Sequence, residues 1–147
     1  RKIDATGDLD RLHALMRQIG EQVTYATGES QSDWTAEEAI AHGKGVCQDH
    51  AHIFLACARE MGFPARYVSG YLMMDDRVEQ DATHAWAEAH VDNLGWVGFD
   101  VSNNQCPDAR YVRVATGLDY TEAAPVIGSR VGGSAETLDV QIQVAQQ

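Results

Sequence analysis

The spacing of apolar residues changes at Gly62 and Pro64, and this change constrains the fold more than any other feature of the chain. Before these two residues, apolar side chains recur at intervals of three and four, which is the period of a helix with one buried face. After them, several segments alternate apolar and polar residues, as half-buried strands do. The pattern predicts helices over 8–23, 35–43 and 47–61, and strands over 65–74, 84–91, 95–102, 110–115 and 136–144. Helices followed by strands indicate an α+β fold, with N-terminal helices packed on an antiparallel β-sheet.

Local signals mark the ends of the predicted helices. Asp8 is a candidate N-cap of the first helix. Thr35, with Glu38 three residues later, matches the capping box that opens a helix. Gly43 is expected to end that second helix, because glycine commonly follows a last helical turn.

Composition narrows the classes of partner. The chain has 11 Lys and Arg against 22 Asp and Glu, which gives a formal net charge of −11, and it contains no cluster of basic residues. A nucleic-acid binder needs concentrated positive charge to displace counterions. A membrane span needs a run of about 18 or more apolar residues, which the sequence lacks. We therefore expect neither nucleic acid nor a membrane as a partner.

Length and cysteine content bear on organisation. The 147 residues have the length of one domain, and we expect residues 1–147 to form a single unit. Because the chain begins with Arg1, we expect it to be the C-terminal part of a longer protein. Its three cysteines are an odd number without paired spacing. This argues against a disulfide framework and for a reducing, cytoplasmic setting.

Cys47 stands directly before a long helical pattern, in the segment GKGVCQDHAHIFLACARE at 43–60. A nucleophilic cysteine reacts as its thiolate, and the free N–H groups and positive dipole end of a helix N-terminus favour that form. Gly43 and Gly45 permit a close backbone approach just ahead of this turn. The backbone N–H of Cys47 would also point at a developing oxyanion. These features make Cys47 a candidate nucleophile.

A cysteine nucleophile requires a base and a group that orients the base. His84 starts the alternating segment HAWAEAHV, and Asp100 ends the segment GWVGFD. A hairpin centred on Asp92 would place His84 and Asp100 directly opposite each other, with both side chains on one face. A turn centred on 93–94 would offset them by about three residues, or roughly 10 Å, and would make Glu88 the rival carboxylate. We favour Asp100.

These residues, taken in order, resemble a known family. The bacterial transglutaminase-like family, within the superfamily of transglutaminases and related cysteine proteases, is similar to this chain in the stretches GKGVCQDHAHIFLACAREMGFPARYVSGYL, THAWAEAHVDNLGWVGFDVSNN and VRVATGLDYTEAAPVIGSRVGG. The resemblance runs from Thr35 to Gly133. It implies a papain-like core with a catalytic triad, in which Cys47 resembles the nucleophile, His84 the base and Asp100 the orienting acid. Relatives often carry an N-terminal β-rich domain, which agrees with the expectation of a longer protein.

Metal sites have weak support in the sequence. Cys47, His50 and His84 are a candidate zinc set, but zinc sites usually show tight paired spacings and this Cys-x-x-His stands alone. The acidic loop at 75–81 lacks the spacing of an EF-hand. We expect no metal and no cofactor. His50 either lines the cleft or packs and bonds locally, with the structural role favoured, and His52 is expected to be a satisfied structural histidine.

The other cysteines and the tryptophans are expected to be structural. Cys57 lies in an apolar helical pattern and is expected in the core, whereas Cys106 lies in a loop. Trp34, Trp86 and Trp96 are expected in the core by default. Two alternatives remain open: Trp86 shares a strand face with His84 and could wall the cleft, and the resemblance to the superfamily suggests the Trp34 indole N–H as an oxyanion donor.

The expected activity is acyl transfer on an amide bond of a protein or peptide substrate, through a thioester on Cys47. Water as the acceptor would make the protein a cysteine protease or amidase, and a lysine-type amine would make it a protein-glutamine transglutaminase. With no calcium site visible in the sequence, we favour hydrolysis. The alternative function is a catalytically silent transglutaminase-like module that binds protein or peptide. The presence of Cys47, His84 and Asp100 together argues against that alternative.

Overall fold

The computed structural model describes residues 7–28, 34–74, 79–80, 83–126, 131–133 and 141–145. Its helices are α1 (Asp8–Gln22), α2 (Ala36–His42), α3 (Cys47–Glu60) and α4 (Tyr120–Ala123). Its strands are β1 (Thr24–Tyr25), β2 (Lys44–Gly45), β3 (Ala65–Leu72), β4 (Glu79–Gln80), β5 (His84–Val91), β6 (Gly95–Phe99), β7 (Tyr111–Gly117) and β8 (Ile142–Gln143). Within these residues, no helix is both long enough and apolar enough to cross a membrane.

The main sheet has four strands in the order β6-β5-β3-β7, and all neighbouring strands are antiparallel. The helices α1 and α3 precede this sheet in the chain, and α3 packs across β5. The predicted α+β class, with N-terminal helices on an antiparallel sheet, is confirmed.

Small residues on β5 let α3 lie close to the sheet. Ala85, Ala87 and Ala89 alternate along the strand toward the helix side, and each is buried. Above them, Phe54 of α3 stacks on Phe99 of β6 with ring centroids 4.9 Å apart. Both rings are fully buried, and burying a phenylalanine stabilises a fold by about 1.5–3 kcal/mol. The helix is therefore held firmly against the middle of the sheet.

The helix ends agree with the local signals, with one exception. Thr35 and Glu38 form the predicted capping box, in which the Thr35 N–H donates to Glu38 Oε2 at 2.7 Å. Gly43 ends α2 in the left-handed region, with φ at 66°. Asp8, predicted as the cap of α1, is instead its first helical residue, because Gly7 takes the N-cap position and the Asp8 carboxylate pairs with Arg11 at 3.2 Å.

Two predicted strands differ from the structure. The strand predicted over 95–102 ends at Phe99, because the chain turns over 101–104 and comes back to form a single bridge between Asp100 and Gln105. The strand predicted over 136–144 is described only in part. Its Ile142–Gln143 portion pairs with β4 in a separate two-stranded sheet, and 134–140 lie outside the described residues.

Candidate active site

Cys47 is the first residue of α3, as predicted. The segment just before Cys47 is held by parallel pairing of β2 with β1, in which Lys44 and Gly45 lie beside Thr24 and Tyr25. The helix start is capped by its own Asp49, whose carboxylate accepts a hydrogen bond from the Val46 N–H at 2.8 Å.

Only glycine fits at position 45, because the Asp49 side chain occupies the space that a Cβ would need. A side chain at Gly45 would place its Cβ only 2.7 Å from the Cβ of Asp49, which is closer than real Cβ contacts come. The glycine therefore lets the capping carboxylate fold back under the loop just ahead of Cys47. The group that comes close to the backbone at this glycine is therefore the Asp49 side chain.

His84 and Asp100 are in direct contact. His84 Nε2 lies 2.7 Å from Asp100 Oδ2, and the Asp100 side chain is fully buried. Since Nε2 is engaged by the carboxylate, the other ring nitrogen, Nδ1, is the one available to Cys47, which is near enough to help raise the pKa of the imidazole. The structure thus brings the three predicted residues together.

The register that produces this contact differs from the predicted one. Val91 pairs with Gly95, so the hairpin is centred on Asn93 and not on Asp92, and Asn93 adopts a left-handed φ of 64°. In this register Asp100 lies two positions from the point opposite His84. An offset of two keeps both side chains on the same face, and diagonal neighbours of this kind are about 7–8 Å apart at the backbone. An imidazole and a carboxylate can span that gap together.

Asp100 Oδ2 accepts three hydrogen bonds. Besides His84, the donors are the Asn103 amide Nδ2 at 2.7 Å and the Tyr111 hydroxyl at 2.6 Å. The backbone N–H of Asn103 donates to the other oxygen, Oδ1, at 3.3 Å. Burial of Asp100 opposes its ionisation, but the bonds and charge from His84, Tyr111 and Asn103 outweigh it and hold the pKa of the carboxyl below its usual value. Asp100 is therefore a fixed negative charge beneath the imidazole.

The same contacts set the charge of His84. Burial of the ring disfavours its protonation, yet the hydrogen bonds and charges of Asp100 and Cys47 prevail and raise the pKa of His84 to about 9. The imidazole accordingly carries a proton at neutral pH. A protonated ring held between a thiol group and a carboxylate can donate a proton to a leaving group.

Glu88, the rival carboxylate, is engaged elsewhere. It forms ion pairs with Arg66 at 2.7 Å and Arg113 at 2.8 Å, on the two strands to one side of β5. The choice of Asp100 over Glu88 as the partner of His84 agrees with this geometry.

His50 and His52 are satisfied structural residues, as expected. His50 Nε2 donates to the Val23 carbonyl at 2.8 Å, so Nδ1 is the acceptor from the Ser102 hydroxyl, also at 2.8 Å. Burial lowers the pKa of this histidine. His52 Nε2 accepts from the Tyr120 N–H at 3.2 Å.

No metal cluster is found among the residues that the structure describes, where no three His, Cys, Asp or Glu side chains are placed to hold an ion. In the candidate zinc set, both ring nitrogens of His50 already have partners. Residues 75–78 and 81 of the acidic loop lie outside the described part of the chain.

The three tryptophans have three different environments. Trp86 is buried behind His84, with ring centroids 6.0 Å apart, so it supports the imidazole from the interior. Trp34 stacks on His42 at 4.4 Å. Trp96 was expected in the core, and this is wrong: it is 44 % exposed, and the Arg66 guanidinium covers one face of its ring at 4.0 Å.

The other two cysteines differ from Cys47 in their surroundings. Cys57 is only half-buried on α3, where the prediction placed it in the core. It lines a groove of about 780 Å³ between α1, α2 and α3. Cys106 is exposed in its loop. Burial raises the pKa of the Cys57 thiol.

Three residues of the site had no signal in the sequence: Tyr111, Asn103 and Gln105. Tyr111 opens β7, which pairs with the far side of β3, and Asn103 and Gln105 belong to the turn after β6. Their contacts with Asp100 depend on where the turn and β7 pack in three dimensions. Only the turn-forming composition of the segment SNN hinted that the chain changes direction here.

Residues 1–101 match the profile of the transglutaminase-like superfamily. An uncharacterized protein of Mycobacterium tuberculosis is 36% identical over 144 residues, which cover 90% of this chain and 46% of the relative. An uncharacterized protein of Mycobacterium leprae is 33% identical over 138 residues, covering 90% of this chain and 49% of the relative. The chain spans about half the length of these curated relatives.

Solved structures share the fold. A proposed cysteine protease from Cytophaga hutchinsonii superposes with a TM-score of 0.69 at 24% identity, covering 91% of this chain and 51% of that one. Calcium-bound LapG of Legionella pneumophila gives 0.54 at 18% identity, covering 78% and 70%. A TGase gives 0.53 at 15% identity, covering 67% and 27%. At these identities the likeness is one of fold.

Proposed function

The chain belongs to the transglutaminase-like superfamily, and from this premise we propose that it is a cysteine-dependent acyl-transfer enzyme acting on amide bonds. Cys47 is the nucleophile, His84 the general base and acid, and Asp100 the group that orients His84. One observation carries the proposal: His84 is hydrogen-bonded through Nε2 to a fully buried carboxylate at 2.7 Å, and Cys47, the first residue of a helix, is near enough to help raise the pKa of the imidazole.

In the proposed first half-reaction, the proton shared by the Cys47–His84 pair lies on His84 Nδ1, and the Cys47 thiolate attacks the amide carbonyl carbon. The carbonyl oxygen becomes an oxyanion, which the Cys47 backbone N–H stabilises with the positive end of α3. The carbon–nitrogen bond then breaks, and the proton on His84 moves to the departing amine. A thioester on Cys47 remains.

In the second half-reaction, an acceptor replaces the sulfur. When water is the acceptor, His84 takes its proton, the resulting hydroxide attacks the thioester carbon, and Cys47 leaves as a thiolate beside the protonated His84. When the acceptor is a primary amine, the product is a new amide. We propose hydrolysis of a protein or peptide as the main reaction, supported by the shared fold with the proposed cysteine protease from Cytophaga hutchinsonii.

The nucleophile is tested by the pH dependence of iodoacetamide alkylation, followed at each cysteine by mass spectrometry. Cys106 is the internal control, because it is an exposed thiol in a loop, whereas Cys47 begins a helix near His84. We expect Cys47 to react at least roughly tenfold faster than Cys106 at pH 6–7, and to lose this advantage in His84→Ala. Equal rates at the two thiols would remove the nucleophile and leave the silent binding module as the better function.

The acceptor is tested with unfolded casein and a fluorescent primary amine in one reaction. Hydrolysis gives fragments on a gel, and transamidation gives fluorescent casein of unchanged size. Cys47→Ala should abolish either product.

Because all three cysteines are free thiols, we place the activity in the reducing cytoplasm, which fractionation of the source cells would check.

A further inference from the structure

Tyr111 has no step in the proposed reaction, yet it touches both residues behind the nucleophile. Its hydroxyl lies 2.6 Å from Asp100 Oδ2, the same oxygen that binds His84. Its ring lies 6.0 Å from the imidazole of His84 and meets Trp86 edge-on at 5.2 Å. Gln105 Nε2 lies 2.8 Å from the Tyr111 hydroxyl oxygen.

The direction of each hydrogen bond around Tyr111 is fixed by what the partners can donate. An ionised carboxylate only accepts, so the single hydroxyl proton of Tyr111 points to Asp100. The hydroxyl oxygen is then left as an acceptor, and Gln105 must present its amide N–H to it. Gln105 therefore donates to Tyr111, and Tyr111 donates to Asp100. The accepting oxygen, Oδ2, is the one that also binds His84.

The position of Tyr111 is set by the sheet. It pairs with Leu72 at the end of β3, and the pairing of β3 with β7 slips between Ser69 and Gly70. A side chain at Gly70 would make its Cβ overlap the Val112 carbonyl oxygen and lie 2.8 Å from the Trp86 ring. Gly70 thus lets β7 and Trp86 come close together, and this brings the Tyr111 ring beside His84.

We propose, resting on the function proposed above, that Tyr111 is a positioning residue with two separable actions. Its hydroxyl holds Asp100 Oδ2 in line with His84 Nε2 and disperses part of the carboxylate charge. Its ring, with that of Trp86, fixes the plane of the imidazole so that Nδ1 faces Cys47.

The hydroxyl action predicts a shift of known sign. In Tyr111→Phe, Asp100 Oδ2 keeps two donors and loses the third. More of the carboxylate charge then acts on His84, and the protonated imidazole is favoured. The pKa of His84 should rise above its value of about 9, by roughly half a unit.

Other titratable groups face this pair and are left unchanged by the substitution. Cys47 and His50 approach from α3, and Tyr25 approaches from β1. Any shift seen in Tyr111→Phe alone is therefore due to the hydroxyl.

The experiment follows the His84 ring by NMR in histidine-labelled protein from pH 6 to 11, with the signal assigned by its loss in His84→Gln. Tyr71→Phe is the matched control: it removes a hydroxyl from the neighbouring strand β3, away from Asp100. We expect an upward shift in Tyr111→Phe and none in Tyr71→Phe. An unchanged titration in Tyr111→Phe, or an equal shift in both variants, would overturn the proposal.

The ring action is tested with iodoacetamide on the same variants. Tyr111→Phe keeps the ring and should keep most of the reactivity of Cys47, whereas Tyr111→Leu should lose it by roughly tenfold. Equal rates in Phe and Leu variants of unchanged melting temperature would contradict the ring action. If wild-type Cys47 reacts no faster than Cys106, the proposed function fails, but the titration of His84 still decides whether the Tyr111 hydroxyl acts through Asp100.

Discussion

His50 lies in the first turn of α3 and His84 lies near the start of that helix, but the partners of their ring nitrogens differ. His50 donates to the Val23 carbonyl and accepts from the Ser102 hydroxyl, each at 2.8 Å. His84 is bound by the Asp100 carboxylate at 2.7 Å, and Cys47 also contributes to its raised pKa. One ring therefore has only neutral partners, while the other has an anion.

The difference in partners reverses the effect of burial. Burial penalises a charged imidazole at both positions. At His50 the penalty prevails, the pKa falls, and the ring serves as a neutral cross-link between α3, the end of α1 and the turn after β6. At His84 the carboxylate overcomes the penalty and the pKa rises to about 9. Proximity to the helix start is shared, so the charge of the partner decides which histidine can act as an acid and a base.

Removing the charge of Asp100 should have the largest effect. Asp100→Asn retains the shape of the side chain, but its amide is neutral. The groups that donate to the Asp100 carboxylate would then face either an amide N–H group or a weaker, uncharged acceptor. The pKa of His84 should fall below about 9 toward the behaviour of His50, and turnover of the casein substrate should drop roughly 10³-fold. NMR titration and initial rates measure the two changes.

Glu88→Gln is the control for Asp100→Asn. Glu88 is a buried carboxylate on the same strand face as His84, but it pairs with Arg66 and Arg113. Its replacement should leave the His84 titration unchanged. A similar fall in the pKa of His84 in both variants would mean that the general field of the sheet, and not the Asp100 contact, charges the ring.

Removing His50 should cost stability and leave the chemistry intact. In His50→Ala, the Val23 carbonyl and the Ser102 hydroxyl lose a buried partner and a cavity forms. The free energy of unfolding should fall by about 2–4 kcal/mol in urea titrations. His52→Ala, which removes one hydrogen bond at a half-exposed site, should cost about 1 kcal/mol or less. If His50→Ala instead removed the alkylation advantage of Cys47 at full stability, His50 would belong to the reacting groups.

Much of this contrast was predictable from local sequence, because it depends on periodicity and short-range signals. The start of α3 at Cys47, the Thr35 capping box and strand β5 were all predicted within a residue or two. The contact of His84 with Asp100 was predicted although the register was wrong. The contact still forms because Asp100 is offset by an even number of residues from the position opposite His84, and an even offset keeps both side chains on the same face of the sheet.

The parts that escaped prediction depend on packing between distant segments. The donors to Asp100 come from a turn and from β7, whose place beside β3 no local pattern specifies. Trp96 lies at the surface under an arginine from another strand, which hydrophobicity alone does not anticipate. Single residues such as Asp100 were identifiable by type and spacing, but the partners that tune them were not.

The smallest predicted effect is on the pH dependence of the unfolding free energy, to which His84 and His50 should contribute slopes of opposite sign. The pKa of His84 is raised in the folded state, so its contribution is present below the unfolded value of about 6.5 and is lost as the pH rises toward 9. The pKa of His50 is lowered, so the unfolded chain binds the extra proton and stability is lost as the pH falls below about 6.5. From pH 6.5 to 8, the difference in unfolding free energy between wild type and His84→Gln should shrink by roughly 1–2 kcal/mol. From pH 6.5 to 5, the difference between wild type and His50→Gln should shrink instead. Urea titrations across this range measure both, and slopes of the same sign would contradict the assignment of one charged and one neutral histidine.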